Sequence, residues 1–158
     1  MAMKSIIFSV ALVAALVLAP TPPWAASSAS SSTTTTTVTD YDAGKAAADS
    51  GDYATAIASL DKAVKADPKN ADAYNMLGFC HRKLGNVEKA FENYNQALAI
   101  NSKHRGANEY IGELYLELDQ LDKAEAHLDR LGRSCFFACG EYKDLKEEVD
   151  EYKASHGS

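Results

Sequence analysis

Residues 71–104 read ADAYNMLGFCHRKLGNVEKAFENYNQALAINSKH, and this stretch decides the fold. Apolar residues recur at helical spacing on both sides of Gly85-Asn86, which is typical of two amphipathic helices. The glycine can take the left-handed conformation that ends the first helix, and the asparagine can accept from the free amides that open the second. The stretch therefore predicts a helix hairpin.

The hairpin recurs along the chain with a period of 34 residues. The residues that coincide at this period include Gly44, Gly78 and Gly112, then Ala56, Ala90 and Ala124, and then Leu60, Tyr94 and Leu128. Small residues are expected where two helices cross closely, because a larger side chain would push the axes apart. The pattern predicts three copies of one unit, at residues 37–70, 71–104 and 105–138.

The middle copy resembles the tetratricopeptide repeat. The positions that carry the resemblance are Tyr74, Leu77, Gly78, Ala90, Tyr94 and Ala97. The other copies depart from the motif at Asp40, which replaces a bulky residue, and at Ser102 and Phe136, which replace a terminal proline. The resemblance implies an all-α, right-handed α-solenoid of three helix hairpins within residues 40–138. Apolar residues at helical spacing then predict a C-terminal capping helix over residues 139–154.

The N-terminus follows a different pattern. Lys4 precedes an apolar run over residues 6–19, which ends in prolines and is shorter than the roughly 20 residues of a membrane span. This indicates a signal peptide at residues 1–26 rather than the alternative, a membrane anchor. Residues 27–39 are nearly all Ser and Thr, which indicates a solvated linker. We therefore expect an exported protein in the bacterial periplasm, free of the membrane after signal removal.

Composition and motifs limit the chemistry. A formal net charge of −6 argues against nucleic acid as a partner. No phosphate-binding loop, metal-ligand set or nucleophile arrangement is recognisable, so we expect no enzyme, cofactor or metal. Cys80 and His81 are adjacent on a predicted helix and point in different directions. A buried small thiol and a hydrogen-bonded core histidine are favoured over a ligand pair.

Two further cysteines mark the junction between the third copy and the capping helix. Cys135 and Cys139 are four residues apart. A disulfide bond is the favoured reading for an exported protein. Two free thiols, or a metal or redox site, are the alternatives.

The resemblance also implies a binding site. In the tetratricopeptide family, the first helices of successive repeats line a concave groove that receives a peptide or a helix of a partner. The residues that match these groove positions are Tyr41, Lys45, Asn75, Phe79, Arg82, Lys83, Glu109, Glu113, Leu116 and Glu117. Met76, Gly106 and Tyr110 stand where one subgroup clamps a terminal carboxylate with polar or basic residues, so that clamp is absent.

The groove residues divide by charge. Glu109, Glu113 and Glu117 fall four apart and predict an acidic stripe on one helix face, well separated from Lys45 and Arg82. We expect the stripe to meet a basic group of the partner, with a merely solvated face as the alternative. The function expected is thus an exported adaptor that binds a protein or peptide segment. Self-assembly into a homo-oligomer, or metal or redox work at the two cysteines, is the alternative.

Overall fold

A computed structural model describes residues 39–135 and 139–157. Within these ranges the chain forms seven α-helices and no strand. They are α1 (Asp40–Asp49), α2 (Tyr53–Ala66), α3 (Ala71–Lys83), α4 (Val87–Ile100), α5 (Arg105–Glu117), α6 (Leu121–Ser134) and α7 (Gly140–His156). The predicted signal peptide and nearly all of the predicted linker lie outside the described residues, as does Phe136. In the described part of the chain, no helix has the length and apolar character to cross a membrane.

The same turn closes all three hairpins. In each turn one amide donates to the carbonyl five residues earlier, from Asp52 to Ala47, from Asn86 to His81 and from Gln120 to Tyr115, over 2.8 to 2.9 Å. The preceding residue has positive φ, which is 82° at Gly51, 74° at Gly85 and 56° at Asp119. Only glycine takes this conformation without strain, so the third copy closes with a less suitable residue.

The helix starts agree with the prediction only in part. The Asp52 carboxylate accepts the amide of Thr55 at 3.1 Å, but Asn86 makes no such bond. The predicted asparagine cap is therefore wrong. The first helix of each copy is the better capped one, because a side chain at Thr39, Asn70 or His104 accepts the amide three residues on.

The small residues that were predicted to lie at close helix crossings do so in the first two copies. Ala56 and Ala90 have no exposed surface. A Cβ atom added to Gly44 would lie 2.6 Å from the Leu60 side chain, and one added to Gly78 would lie 2.5 Å from the Tyr94 ring. Each glycine therefore receives a large side chain from the second helix of its own copy.

The third copy packs differently. A Cβ atom on Gly112 would lie 2.5 Å from Leu145 of α7, a helix that follows the repeat. Leu128, predicted to match Tyr94, is only half-buried, and its neighbour His127 is buried instead. The predicted equivalence of Leu128 is wrong because α7 provides the side chain that fills this crossing.

The capping helix α7 lies against the first helix of the third copy. Of the two helices in the preceding copy, α7 packs more extensively on the first, α5, whereas α3 and α5 pack more extensively on the second, α2 and α4. Leu145 and Val149 are buried in one cluster with Leu116 of α5. The helix therefore covers part of the groove predicted on α5.

Candidate functional site

The predicted groove residues lie on α1, α3 and α5, and these helices are neighbours in the structure. We call the side of these helices that carries the predicted groove residues the first-helix face. Three contacts join α3 to α5 along it. The Nδ2 atom of Asn75 lies 3.1 Å from the place of a Cβ on Gly106, and the ring centroids of Phe79 and Tyr110 are 5.5 Å apart. Arg82 makes the third contact. Successive turns of α3 therefore contact successive turns of α5.

Arg82 forms the main ion pair of this face. Its Nε and Nη2 atoms donate to one oxygen of Glu117 at 3.0 and 2.5 Å, and its Nη1 donates to Glu113. The side chains of Arg82 and Glu113 are only 11% and 13% exposed. The prediction that the acidic stripe lies apart from Arg82 is therefore wrong: the basic group opposite two of its glutamates belongs to this chain.

Glu109 is the exception in the stripe. It is only 8% exposed, and among the described residues its carboxylate has neither a hydrogen bond nor an ion pair. Burial raises the pKa of this carboxyl to about 8, and the carboxylates of Glu113, Asp144 and Glu141 add to the effect. A buried carboxyl without a partner disfavours its charged form. Glu109 is therefore mostly protonated at neutral pH, and its charged form is destabilised.

The ten predicted groove residues differ in access. Asn75, Glu109 and Leu116 are buried, and the expectation that they lie open to a partner is not met, because α5 covers the first and α7 packs on the other two. Tyr41, Phe79, Arg82 and Glu113 are partly buried, and Lys45, Lys83 and Glu117 are exposed. Access to the face is therefore greatest on α1, α3 and the end of α5.

Three half-buried aromatic rings lie beside this accessible part, on Phe79 of α3, Tyr110 of α5 and Tyr53 at the start of α2. Phe79 contacts Tyr53 edge to face, with ring centroids 6.0 Å apart, and Tyr110 on its other side. We call these three rings the aromatic shelf. Lys83 lies over Phe79, 5.4 Å from the ring centroid. The shelf offers apolar area with a cation at its edge.

The first helix adds a second partly apolar position. Burial, and then Asp72, raise the pKa of Tyr41, so its hydroxyl stays neutral near physiological pH. Lys45 is held by Asp49, one turn further along α1, at 2.7 Å. Both groups of this exposed ion pair remain accessible to a partner.

The three cysteines and His81 are either bonded or buried. Cys135 and Cys139 form a disulfide bond. Cys80 is a buried free thiol, and burial raises its pKa to about 11. His81 is buried as predicted, but its Nδ1 atom has no hydrogen-bond partner, so the expected bond is not seen there. Within the described residues, no group of His, Cys, Asp and Glu side chains is arranged to hold a metal ion.

Two polar links between helices were not predicted. The His104 ring, which caps α5, also contacts Asp72 of α3 at 2.9 Å. His127 lies 3.1 Å from Asn108 inside the third hairpin, and burial followed by Arg130 lowers its pKa to about 4. His104 repeats the capping position of Asn70 with another residue type, and neither histidine matches a residue type that recurs in the other copies, so a search for recurring residues passes over them.

Two family models, each described as tetratricopeptide repeat, match residues 41–104 and 81–148. Together they cover residues 41–148, which leaves out only the start of α1 and the end of α7. With three hairpins of this geometry, the chain belongs to the tetratricopeptide-repeat family.

A curated protein is similar in sequence to part of this chain. Anaphase-promoting complex subunit 3 of Schizosaccharomyces pombe is 25% identical over 111 residues, which is 64% of this chain. The chain spans only 17% of the length of that relative.

Solved structures share the fold. The first tetratricopeptide domain of Spaghetti (RPAP3), bound to the HSP90 peptide SRMEEVD, has a TM-score of 0.64 and 20% identity, covering 75% of this chain and 91% of that one. PcrH, in complex with the chaperone binding region of PopD, has a TM-score of 0.65 and 19% identity, covering 74% and 90%. At this level of identity, the likeness shows the fold alone.

Proposed function

We propose that this protein is a non-enzymatic adaptor that binds a segment of another protein along its first-helix face. The aromatic shelf of Tyr53, Phe79 and Tyr110 carries the proposal, because half-buried rings beside exposed charges are typical of surfaces that take up protein segments. Two structures of the same fold, described above, hold a peptide and a chaperone-binding region. An amphipathic helix or an extended segment would fit such a face.

A site-specific photo-crosslinker tests this proposal. A photoreactive phenylalanine analogue at position 79 places the reactive group on the aromatic shelf. A matched control at exposed Gln96 places it on α4, a second helix. We expect position 79 to crosslink in cells to one or a few discrete proteins and position 96 to none of them. Identical products from both positions would contradict a binding role for the first-helix face.

We also propose export to the bacterial periplasm. The support is the N-terminal pattern of Lys4, an apolar run over residues 6–19 and prolines directly after it. Cell fractionation with intact-mass measurement tests it. We expect a periplasmic product shortened by about 26 residues. A full-length product in the cytosol would contradict export.

Self-assembly is a second candidate function, favoured by one observation. Leu84 and Leu118 are one repeat apart and are 48% and 38% exposed, the large apolar side chains most open to solvent among the described residues. Light scattering across a range of concentrations tests whether they form a contact between copies. Serine at both positions should abolish any dimer, and a monomer at every concentration would eliminate this function.

A further inference from the structure

Carboxylates outnumber cations where α3, α5 and α7 meet. We define the carboxylate cluster as Glu109, Glu113, Glu117 and Glu148. Arg82 pairs with Glu113 and Glu117. Glu148 of α7 lies near this pair, since burial, then Glu113, raise its pKa while Arg82 lowers it. One guanidinium therefore acts on three of the four carboxyl groups, and Glu109 is the fourth.

Among the described residues, Arg82 is the cation that forms ion pairs with the cluster. Arg105, the basic residue that begins α5, lies 3.6 Å from Glu141. Among the described residues, Glu109 and Glu148 are in no ion pair. A carboxyl group that is nine-tenths buried keeps its negative charge only when a cation pairs with it, and otherwise it holds a proton. Glu109 thus points to a cation that comes from elsewhere.

The surroundings restrict what this cation is. No set of ligands for a metal ion occurs within the described residues. Phe79 and Tyr110 of the aromatic shelf lie one turn from the Arg82 pair along α3 and α5. A ligand with an apolar part beside a positive end fits both features, and lysine and arginine side chains have this form.

We propose that the carboxylate cluster is the subsite that selects the partner, and that it takes a Lys or Arg side chain from a basic segment whose apolar neighbours rest on the aromatic shelf. This inference rests on the proposed adaptor function and adds the chemistry of the partner. It also fits the net charge of −6, which favours encounter with basic segments.

Binding should be coupled to proton release. The groups around Glu109 are Glu113 and Tyr110 on α5 and Glu141, Asp144 and Glu148 on α7, while Arg82 on α3 acts on Tyr110 and Glu148. The carboxyl of Glu109 is mostly protonated below its pKa of about 8. An incoming cation favours the carboxylate form, so the proton leaves when the cation binds. Affinity for a basic segment should then rise with pH up to about 8.

The test is a selection of displayed random dodecamer peptides on the full protein, followed by affinity measurement with synthetic peptides. The diagnostic variant is E109Q/E148Q, which leaves both partners of Arg82 in place. The control is E88Q/E92Q, which removes the same charge from exposed positions of α4. E148Q alone changes an exposed position, so a loss of affinity in this variant does not arise from misfolding around Glu109.

We expect the enriched peptides to carry Lys or Arg next to apolar residues. Their affinity should fall at least tenfold in E109Q/E148Q, about threefold in E148Q and hardly at all in the control, and it should weaken with salt. Enrichment of neutral or acidic peptides, or equal affinity for variant and control, would overturn the subsite while leaving the adaptor function standing. Failure to enrich any peptide, together with no crosslink from position 79, would overturn both.

Discussion

Copies two and three use the same 34-residue unit but complete it differently. In copy two, Gly78 receives Tyr94 from its own second helix, whereas in copy three Gly112 receives Leu145 from α7. The middle hairpin is therefore complete by itself, and the last one depends on the helix that follows. The difference explains why one side of α5 is turned away from a partner and towards α7.

The largest effect should come from removing the side chain that completes copy three. Leu145→Ala should lower the free energy of unfolding by about 2–5 kcal/mol, because this fully buried residue anchors α7 on α5. Leu128→Ala, at the half-buried position once expected to be equivalent, should cost less than half as much. Urea denaturation followed by circular dichroism measures both, and equal losses would mean that copy three is closed like copy two.

Overpacking the crossing in copy two comes next. Ala90→Leu should destabilise the protein by about 1–3 kcal/mol, because Ala90 has no exposed surface and the crossing has no room for extra methylenes. The matched control is Ala99→Leu at an exposed position of the same helix, expected within about 0.5 kcal/mol of wild type. Chemical denaturation compares them, and a neutral Ala90→Leu would contradict the assigned repeat phase.

The buried carboxyl of copy three should make stability depend on pH. The pKa of Glu109 is raised from 4.5 to about 8, so between these values the folded protein keeps a proton that the unfolded chain has lost. Stability should therefore fall as pH rises through this window. Glu109→Gln should remove that fall, on the order of 1–3 kcal/mol.

Denaturation curves for wild type and Glu109→Gln at several pH values measure this effect. His127 acts with the opposite sign, since its pKa is lowered from 6.5 to about 4 and its contribution is lost as pH falls between these values. It is present in both proteins, so their difference isolates Glu109. Parallel curves from pH 4.5 to 8 would show that Glu109 is not buried as described.

The smallest changes in stability should come from the hairpin turns of copies two and three, and the two turns should respond in opposite directions. Gly85→Ala should cost about 1 kcal/mol, because a side chain at φ 74° is strained even though the space around it is open. Asp119→Gly should instead stabilise the protein by less than that, since it removes strain but also the acceptor of the Tyr152 hydroxyl. Thermal unfolding measures both, and a shift in the same direction would contradict the account of these turns.

The recurring features were predictable because they arise from the spacing of residues within one unit. The residue type alone is enough to indicate close helix crossings at Gly44 and Gly78 and turns at Gly51 and Gly85. The exchange of Leu128 for Leu145 was not predictable in this way. It depends on how a helix outside the repeat competes for the same crossing, which is a matter of tertiary packing.

The candidate site was predictable as a set of residues but not as an arrangement. The motif selects Arg82, Glu113 and Glu117, yet the sequence alone does not reveal that Arg82 pairs with both glutamates, because Arg82 lies on copy two and the glutamates lie on copy three. The burial of Glu109 has the same origin, since α7 lies beyond the unit from which its position was derived. Contacts within a copy follow from the repeat, and contacts between copies need the structure.

The most direct measurement of the central claim is chemical-shift mapping of the ¹⁵N-labelled protein titrated with a selected peptide. If the first-helix face binds the segment, the largest amide shifts should fall on α1, α3 and the end of α5, around Tyr41, Phe79 and Arg82. Shifts confined to α2 and α4 would contradict the assignment of this face as the binding site.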